Sequence, residues 1–102
     1  MAAIVDYNKL QAYGPTSEVL ELSPLADKWR AFGFDAIEVD GHDVAALQDV
    51  LNAPAGDRPR AVICLTVKGK GIPIAENNAT WHHKSKLRPE ELTAIIDALG
   101  EA

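Results

Sequence analysis

An apolar run over residues 61–67 that empties into a basic, glycine-punctuated loop constrains this chain more than any other feature. The stretch from Arg60 to Lys84 reads RAVICLTVKGKGIPIAENNATWHHK. A short apolar run bounded by turn signals predicts a buried strand. In open α/β sheets, ligands sit at the carboxyl edge of such strands. Here that edge carries Lys68 and Lys70 alternating with Gly69 and Gly71, then Glu76, Asn77, Asn78, Trp81, His82 and His83. Backbone amides and ammonium groups in a loop of this kind can approach one anion together. The polar residues beyond it can reach a reacting group, so this loop is the site candidate.

The rest of the chain alternates strand and helix signals. Ala2-Ala3-Ile4-Val5 predicts a first strand ending in the polar turn Asp6-Tyr7-Asn8-Lys9. Residues 11–22 show no sustained period, with Gly14-Pro15-Thr16 as a turn signal. Ser23-Pro24 predicts a helix start, serine as N-cap and proline at the first helical position. Leu25, Trp29 and Phe32 form its apolar face and Gly33 its end. Residues 34–39 alternate apolar and acidic in strand fashion. In the turn Asp40-Gly41-His42-Asp43, Asp43 is placed to cap a helix with the stripe Val44, Leu47, Val50 and Leu51. Residues 54–59 read as a surface loop. A last helix spans residues 89–99, with Leu92, Ile95, Ile96 and Leu99 as its stripe and Gly100 as its stop. The order predicts an α/β fold, a partial three-layer parallel sheet of about three strands and three helices joined by right-handed crossovers.

At 102 residues, the chain has room for a single small domain. Parallel sheets are normally covered on both faces, and covering helices are few here, so the sequence reads as part of a larger sheet whose first strand needs a neighbour. A net charge of −5 argues against nonspecific nucleic-acid binding. The one cysteine, Cys64, lies mid-strand and reads as a buried, inert thiol. With no disulfide framework, no leader pattern and no apolar run long enough to cross a bilayer, the cytoplasm is the expected compartment.

Six motifs, in order and at similar spacing, resemble those of transketolases. They are Val5-Asp6-Tyr7-Asn8-Lys9-Leu10-Gln11, Leu25-Ala26-Asp27-Lys28-Trp29 with Phe32-Gly33-Phe34, Glu38-Val39-Asp40-Gly41-His42-Asp43, Thr66-Val67-Lys68-Gly69-Lys70-Gly71, Glu76-Asn77-Asn78 and Trp81-His82. The likeness is closest to the N-terminal, thiamine-diphosphate-binding subunit of split bacterial transketolases, and it covers nearly the whole chain. It is a likeness to the C-terminal half of that domain only. Family members carry an upstream Gly-Asp-Gly segment that closes with an asparagine; Asn8 stands at the position of that asparagine, and the Gly-Asp-Gly part lies outside residues 1–102.

The resemblance implies roles. Asn8 would give its amide oxygen and Leu10 its backbone carbonyl to Mg²⁺ (or Ca²⁺), with diphosphate oxygens, water and the aspartate of the Gly-Asp-Gly segment completing the shell. Lys68 and Gly69 match positions that line the cofactor's edge, although simple loop chemistry accounts for them equally well. His82 matches the histidine beside the diphosphate and the donor sugar, where imidazole can hydrogen-bond both; the alternative is a surface loop histidine. His83 stands where relatives usually have glycine and receives no role. His42, after Gly41, reads as a turn residue. The glutamate that activates the cofactor belongs to another domain in this family, and Glu76 is not a substitute for it.

The expected function is therefore that of a component of a thiamine-diphosphate-dependent transketolase. It would transfer a two-carbon ketol unit from a ketose phosphate to an aldose phosphate, as in pentose phosphate chemistry. It would act as an oligomer with partner chains carrying the Gly-Asp-Gly half and the pyrimidine-binding domain, and alone it would be inactive. Two other readings stay open. One is a non-catalytic scaffold that keeps only the fold. The other is a component resembling deoxyxylulose-phosphate synthases, which share the Trp-His pattern and the Lys-Gly-Lys-Gly loop.

Overall fold

The computed structural model describes residues 1–100, which gather into two compact units: Met1–Tyr7 with Leu20–Thr66, and Asn8–Val19 with the chain from Val67 onward. In chain order the elements are β1 (Ala2–Tyr7), β2 (Leu10–Gln11), β3 (Gly14–Pro15), α1 (Thr16–Val19), α2 (Leu25–Ala31), β4 (Asp35–Asp40), α3 (Val44–Asn52), β5 (Arg60–Leu65), a 3-10 turn (Ala79–Trp81) and α4 (Pro89–Gly100). No helix among the described residues is long and apolar enough to cross a membrane.

The first unit is a three-stranded parallel sheet in the order β1-β5-β4. Its central strand is the apolar run singled out above. Because side chains alternate across a strand, Ala61 and Ile63 face one way, into a cluster with Tyr7, Ala26 and Ala36 flanked by Leu25, Trp29 and Phe34. Val62 and Cys64 face the other way, with Val39, against Ala46, Leu47 and Val50 of α3. Helix, sheet and helix make three layers, as the sequence predicts. Ile63 is wholly buried, so truncating it to alanine would cost about 2–5 kcal/mol. Burial pushes the Cys64 thiol above its ordinary pKa, and the nearby Asp6 charge adds to the effect. The group is protonated and inert, as read from the sequence.

Several local expectations need correction. β1 runs on through Asp6 and Tyr7, because Tyr7 enters the core and the Thr66 hydroxyl donates to the Asp6 carboxylate. β5 stops at Leu65 rather than Val67. Pro24, not Ser23, occupies the N-cap of α2, and its carbonyl accepts from the Lys28 amide at 3.3 Å. Ser23 instead pairs through its hydroxyl with the Tyr7 phenol, and the Ser23–Pro24 peptide is cis. Phe32 stands 86% exposed, because the helix ends at Ala31 and Gly33 turns the chain at φ +91°. Phe34 takes the place expected of Phe32, edge-on to Trp29 with ring centroids 4.7 Å apart.

In α3 the Asp43 cap is present, its carboxylate accepting from the Ala46 amide at 3.0 Å. Val44 and Leu51 lie outside the buried stripe, which Ala46 helps to form instead. Arg60 closes the other end of the helix. Its guanidinium donates to the carbonyls of Val50, Ala53 and Pro54, groups that a helix end leaves without partners.

In the second unit, β2 and β3 form an antiparallel ladder of two residue pairs that leads into the single turn of α1. α4 begins with a one-sided cap: Glu91, three residues in, accepts from the Arg88 amide at 3.0 Å. The Arg88 side chain and the Lys84 ammonium also converge on that carboxylate. Leu92, Ile96 and Leu99, read as parts of a buried stripe, stand exposed.

Candidate functional site

Asn8, Leu10, Lys68, Gly69 and His82 all fall within the second unit. Asn8 follows β1 directly. Its side-chain oxygen accepts the Leu10 amide proton at 2.9 Å, spanning Lys9 at φ +62°. Asparagine forms such side-chain turns readily. The Lys9 carbonyl then accepts from the Thr16 amide at 2.9 Å, fixing the entry to α1. The turn thus places the Asn8 amide oxygen beside the backbone of Leu10.

The loop after β5 closes on itself. The Lys68 carbonyl accepts from the Asn77 amide at 2.9 Å, drawing the two ends together. Gly69 lies so close to Ala75 that a Cβ there would come within 2.6 Å of the Ala75 carbonyl oxygen, and its φ of +75° also calls for glycine. The expectation that this loop offers several amides to one anion needs revision. The Lys70 amide donates to the Val67 carbonyl and that of Ile72 to the Gly69 carbonyl, while the Gly71 amide donates to the Glu76 carboxylate at 3.1 Å. Glu76 is thus the anion already held by the glycine–lysine segment. The Lys68 ammonium has no hydrogen-bond partner among the described residues.

Asn78 caps the 3-10 turn, accepting from the Thr80 amide at 3.1 Å and the Thr80 hydroxyl at 2.6 Å. The asparagine two residues before a threonine was a legible signal for this turn. His82 follows at the C-cap, its amide bonded to the Ala79 carbonyl. Its ring meets that of His83 edge-on, with centroids 4.3 Å apart. Among the described residues no hydrogen bond ties either ring nitrogen of His82, so both can serve a ligand. Lys84 lies 4.9 Å over the Trp81 ring and reaches Glu91 at 3.3 Å, linking the histidine segment to α4.

Among the described residues, three non-glycine residues have positive φ: Lys9, Asn77 and His83. Each sits next to, or within, a motif that carries the family likeness. Backbone strain of this kind concentrates where a site fixes the chain. At His83, φ is +57°, a conformation that glycine adopts more readily than histidine.

The donor set fits a hard cation in part. An amide oxygen and a backbone carbonyl are ligands for Mg²⁺ or Ca²⁺ rather than for softer metals. Among the described residues no group of three or more His, Cys, Asp or Glu could hold a metal ion.

The parallel sheet, covered by a helix on each face, is that of an α/β protein. Residues 1–102 match the family described as transketolase, thiamine diphosphate binding domain, and the chain belongs to that family. Its relatives include a 6-deoxy-6-sulfo-D-fructose transketolase subunit of Clostridium sp. (strain MSTE9), 37% identical over 97% of this chain and 36% of the relative. A subunit of the apulose-4-phosphate transketolase of Actinobacillus succinogenes is 43% identical over 79% of this chain and 30% of the relative. Transketolase-like protein 2 of Bos taurus is 36% identical over 94% of this chain and 16% of the relative. The chain spans about a third of the length of the bacterial proteins it matches.

Proposed function

We propose that this chain is one component of a thiamine-diphosphate-dependent ketol transferase, acting in the cytoplasm with partner polypeptide that supplies the remainder of the cofactor domain and the pyrimidine-binding domain. It represents the C-terminal half of the diphosphate-side domain. Several relatives are named as transketolase subunits, which supports action within an assembly. The sheet supports it too. β1 is an edge strand, and its Ile4 is 62% exposed, while Val62, its partner on the same face of β5, is wholly buried. A further strand beside β1 would cover that side chain and pair the open edge.

When bound, the cofactor supplies the carbanion-stabilising centre needed to move a two-carbon unit between sugar phosphates. The chain's own residues bind and orient. Asn8 and Leu10 hold Mg²⁺ (or Ca²⁺) through oxygen, and Lys68 and Gly69 line the cofactor's edge, the ammonium offsetting phosphate charge. His82 contacts the reacting sugar and the diphosphate, its ring nitrogens donating to one and accepting from the other. The observation that carries this reading is the Asn8–Leu10 turn, in which the Asn8 amide oxygen accepts the Leu10 N–H at 2.9 Å within the same compact unit as His82.

The test is reconstitution. The chain, partner polypeptides, thiamine diphosphate and Mg²⁺ together should transfer a ketol unit from xylulose 5-phosphate to ribose 5-phosphate, and His82→Ala should lower kcat about 10²-fold or more. Tight association with no turnover, or turnover indifferent to His82→Ala, would favour a scaffold. Turnover of pyruvate in place of a ketose phosphate would assign the synthase reaction.

A further inference from the structure

Beyond that reading, the first unit contains a recess of about 650 Å³ at the amino ends of its strands, where Ala2, Asp35 and Arg60 begin β1, β4 and β5. The candidate cofactor residues follow the opposite, carboxyl ends. Arg30, Arg58 and Arg60 line this recess, with Asp35 as its one carboxylate. Arg30 is ion-paired with Asp27 at 2.8 Å, so the positive excess of the recess rests on Arg58 and Arg60 against Asp35, in a chain whose net charge is −5. A local excess of the opposite sign marks an anion site more firmly than a basic patch on a basic protein would.

Two of the guanidinium groups are fixed in advance. Arg60 is held by the carbonyls of Val50, Ala53 and Pro54, and Arg30 by the Ala36 carbonyl and the Asp27 carboxylate. A guanidinium carries five N–H donors, so both retain unused ones, and less freedom is lost when a ligand arrives. Arg58 is exposed and makes no hydrogen bond or ion pair among the described residues. Phe34 and Ile37 give the recess an apolar wall. The volume is that of a small-molecule pocket.

We propose that this recess binds a small phosphate monoester. The guanidinium forks suit phosphate oxygens, and the apolar wall receives the carbon portion of the ligand. A carboxylate, with a single charge and no third oxygen, fits less well.

The test is NMR titration of the full chain with glycerol phosphate, inorganic phosphate and acetate in parallel. Glycerol phosphate should cause saturable amide shifts at Asp35, Gly56 and Arg58. Inorganic phosphate should bind more weakly and acetate weaker still. Arg58→Ala, which removes no internal contact, should weaken glycerol phosphate binding about 10-fold. Asp35→Asn should tighten it about 2- to 3-fold. The proposal is overturned if shifts fail to saturate by about 50 mM, far above the affinity of a formed pocket. It is equally overturned if Arg58→Ala changes nothing or if acetate binds as well as the monoester. Shifts confined to residues 68–71 and 82–83 would also overturn it, and would leave the cofactor reading intact.

Discussion

The amide oxygen of Asn8 accepts the Leu10 N–H at 2.9 Å, which makes the proposed metal corner a structural turn before any ion arrives. On the proposed function, fold and metal binding would be coupled at one atom. Asn8→Ala should lower stability to urea by about 1 kcal/mol, the value of one such bond, and should weaken Mg²⁺-dependent cofactor binding in the assembled protein. Asn8→Asp keeps an acceptor oxygen and should recover most of both. Equal behaviour of all three proteins would contradict both roles.

Gly69 tests the closed loop. A methyl group there would strike the Ala75 carbonyl, which is backbone and cannot swing aside, and φ is +75°. Gly69→Ala should destabilise by about 1–3 kcal/mol. Hydrogen exchange should show the loss at the Asn77 amide, whose bond to Lys68 closes the loop. Retained protection there would contradict the geometry.

His83 makes the opposite prediction. With φ at +57°, the side chain holds a conformation that glycine adopts without cost, so His83→Gly should raise stability by up to about 1 kcal/mol. The ring contact with His82 would be lost, and the His82 imidazole resonances should broaden or move. A fall in stability would mean that the ring contact outweighs the strain.

Glu91 links the histidine segment to α4 and sets a pH dependence. The Arg88 amide first, then the Arg88 and Lys84 side chains, hold its pKa below the ordinary carboxylate value of 4.5. The sign follows from a depressed folded-state pKa: the contribution is fully present above 4.5 and disappears as pH falls through the lower, folded value. Glu91→Gln should therefore lower Tm at neutral pH and flatten the acid limb of the stability curve below 4.5. An unchanged acid limb would count against this cap.

Much of the fold was legible because the central strand announces itself. Residues 61–63 are wholly buried, and no polar residue interrupts them. Asp43 was legible as a cap because its carboxylate needs only the local chain to find the Ala46 amide. Phe32 and Phe34 were not separable, since both flank Gly33 and only the twist of the turn decides which ring meets Trp29. β2 and β3 were invisible because a ladder of two residue pairs has no period to show. Within the candidate site, Asn8, Leu10 and His82 were singled out by the family resemblance rather than by residue type or spacing. The engagement of the Gly71 amide by Glu76 depends on how the loop folds back, which the intervening sequence does not state.

The central claim is that this chain supplies one incomplete wall of a metal-assisted diphosphate site. Calorimetry of thiamine diphosphate with Mg²⁺ tests it most directly, with this chain alone and then mixed with polypeptide carrying the rest of the family domain. The chain alone should give no measurable heat, and the mixture should show saturable binding that Asn8→Ala weakens at least about 10-fold. Micromolar binding by the chain alone, or binding in the mixture indifferent to Asn8→Ala, would contradict it.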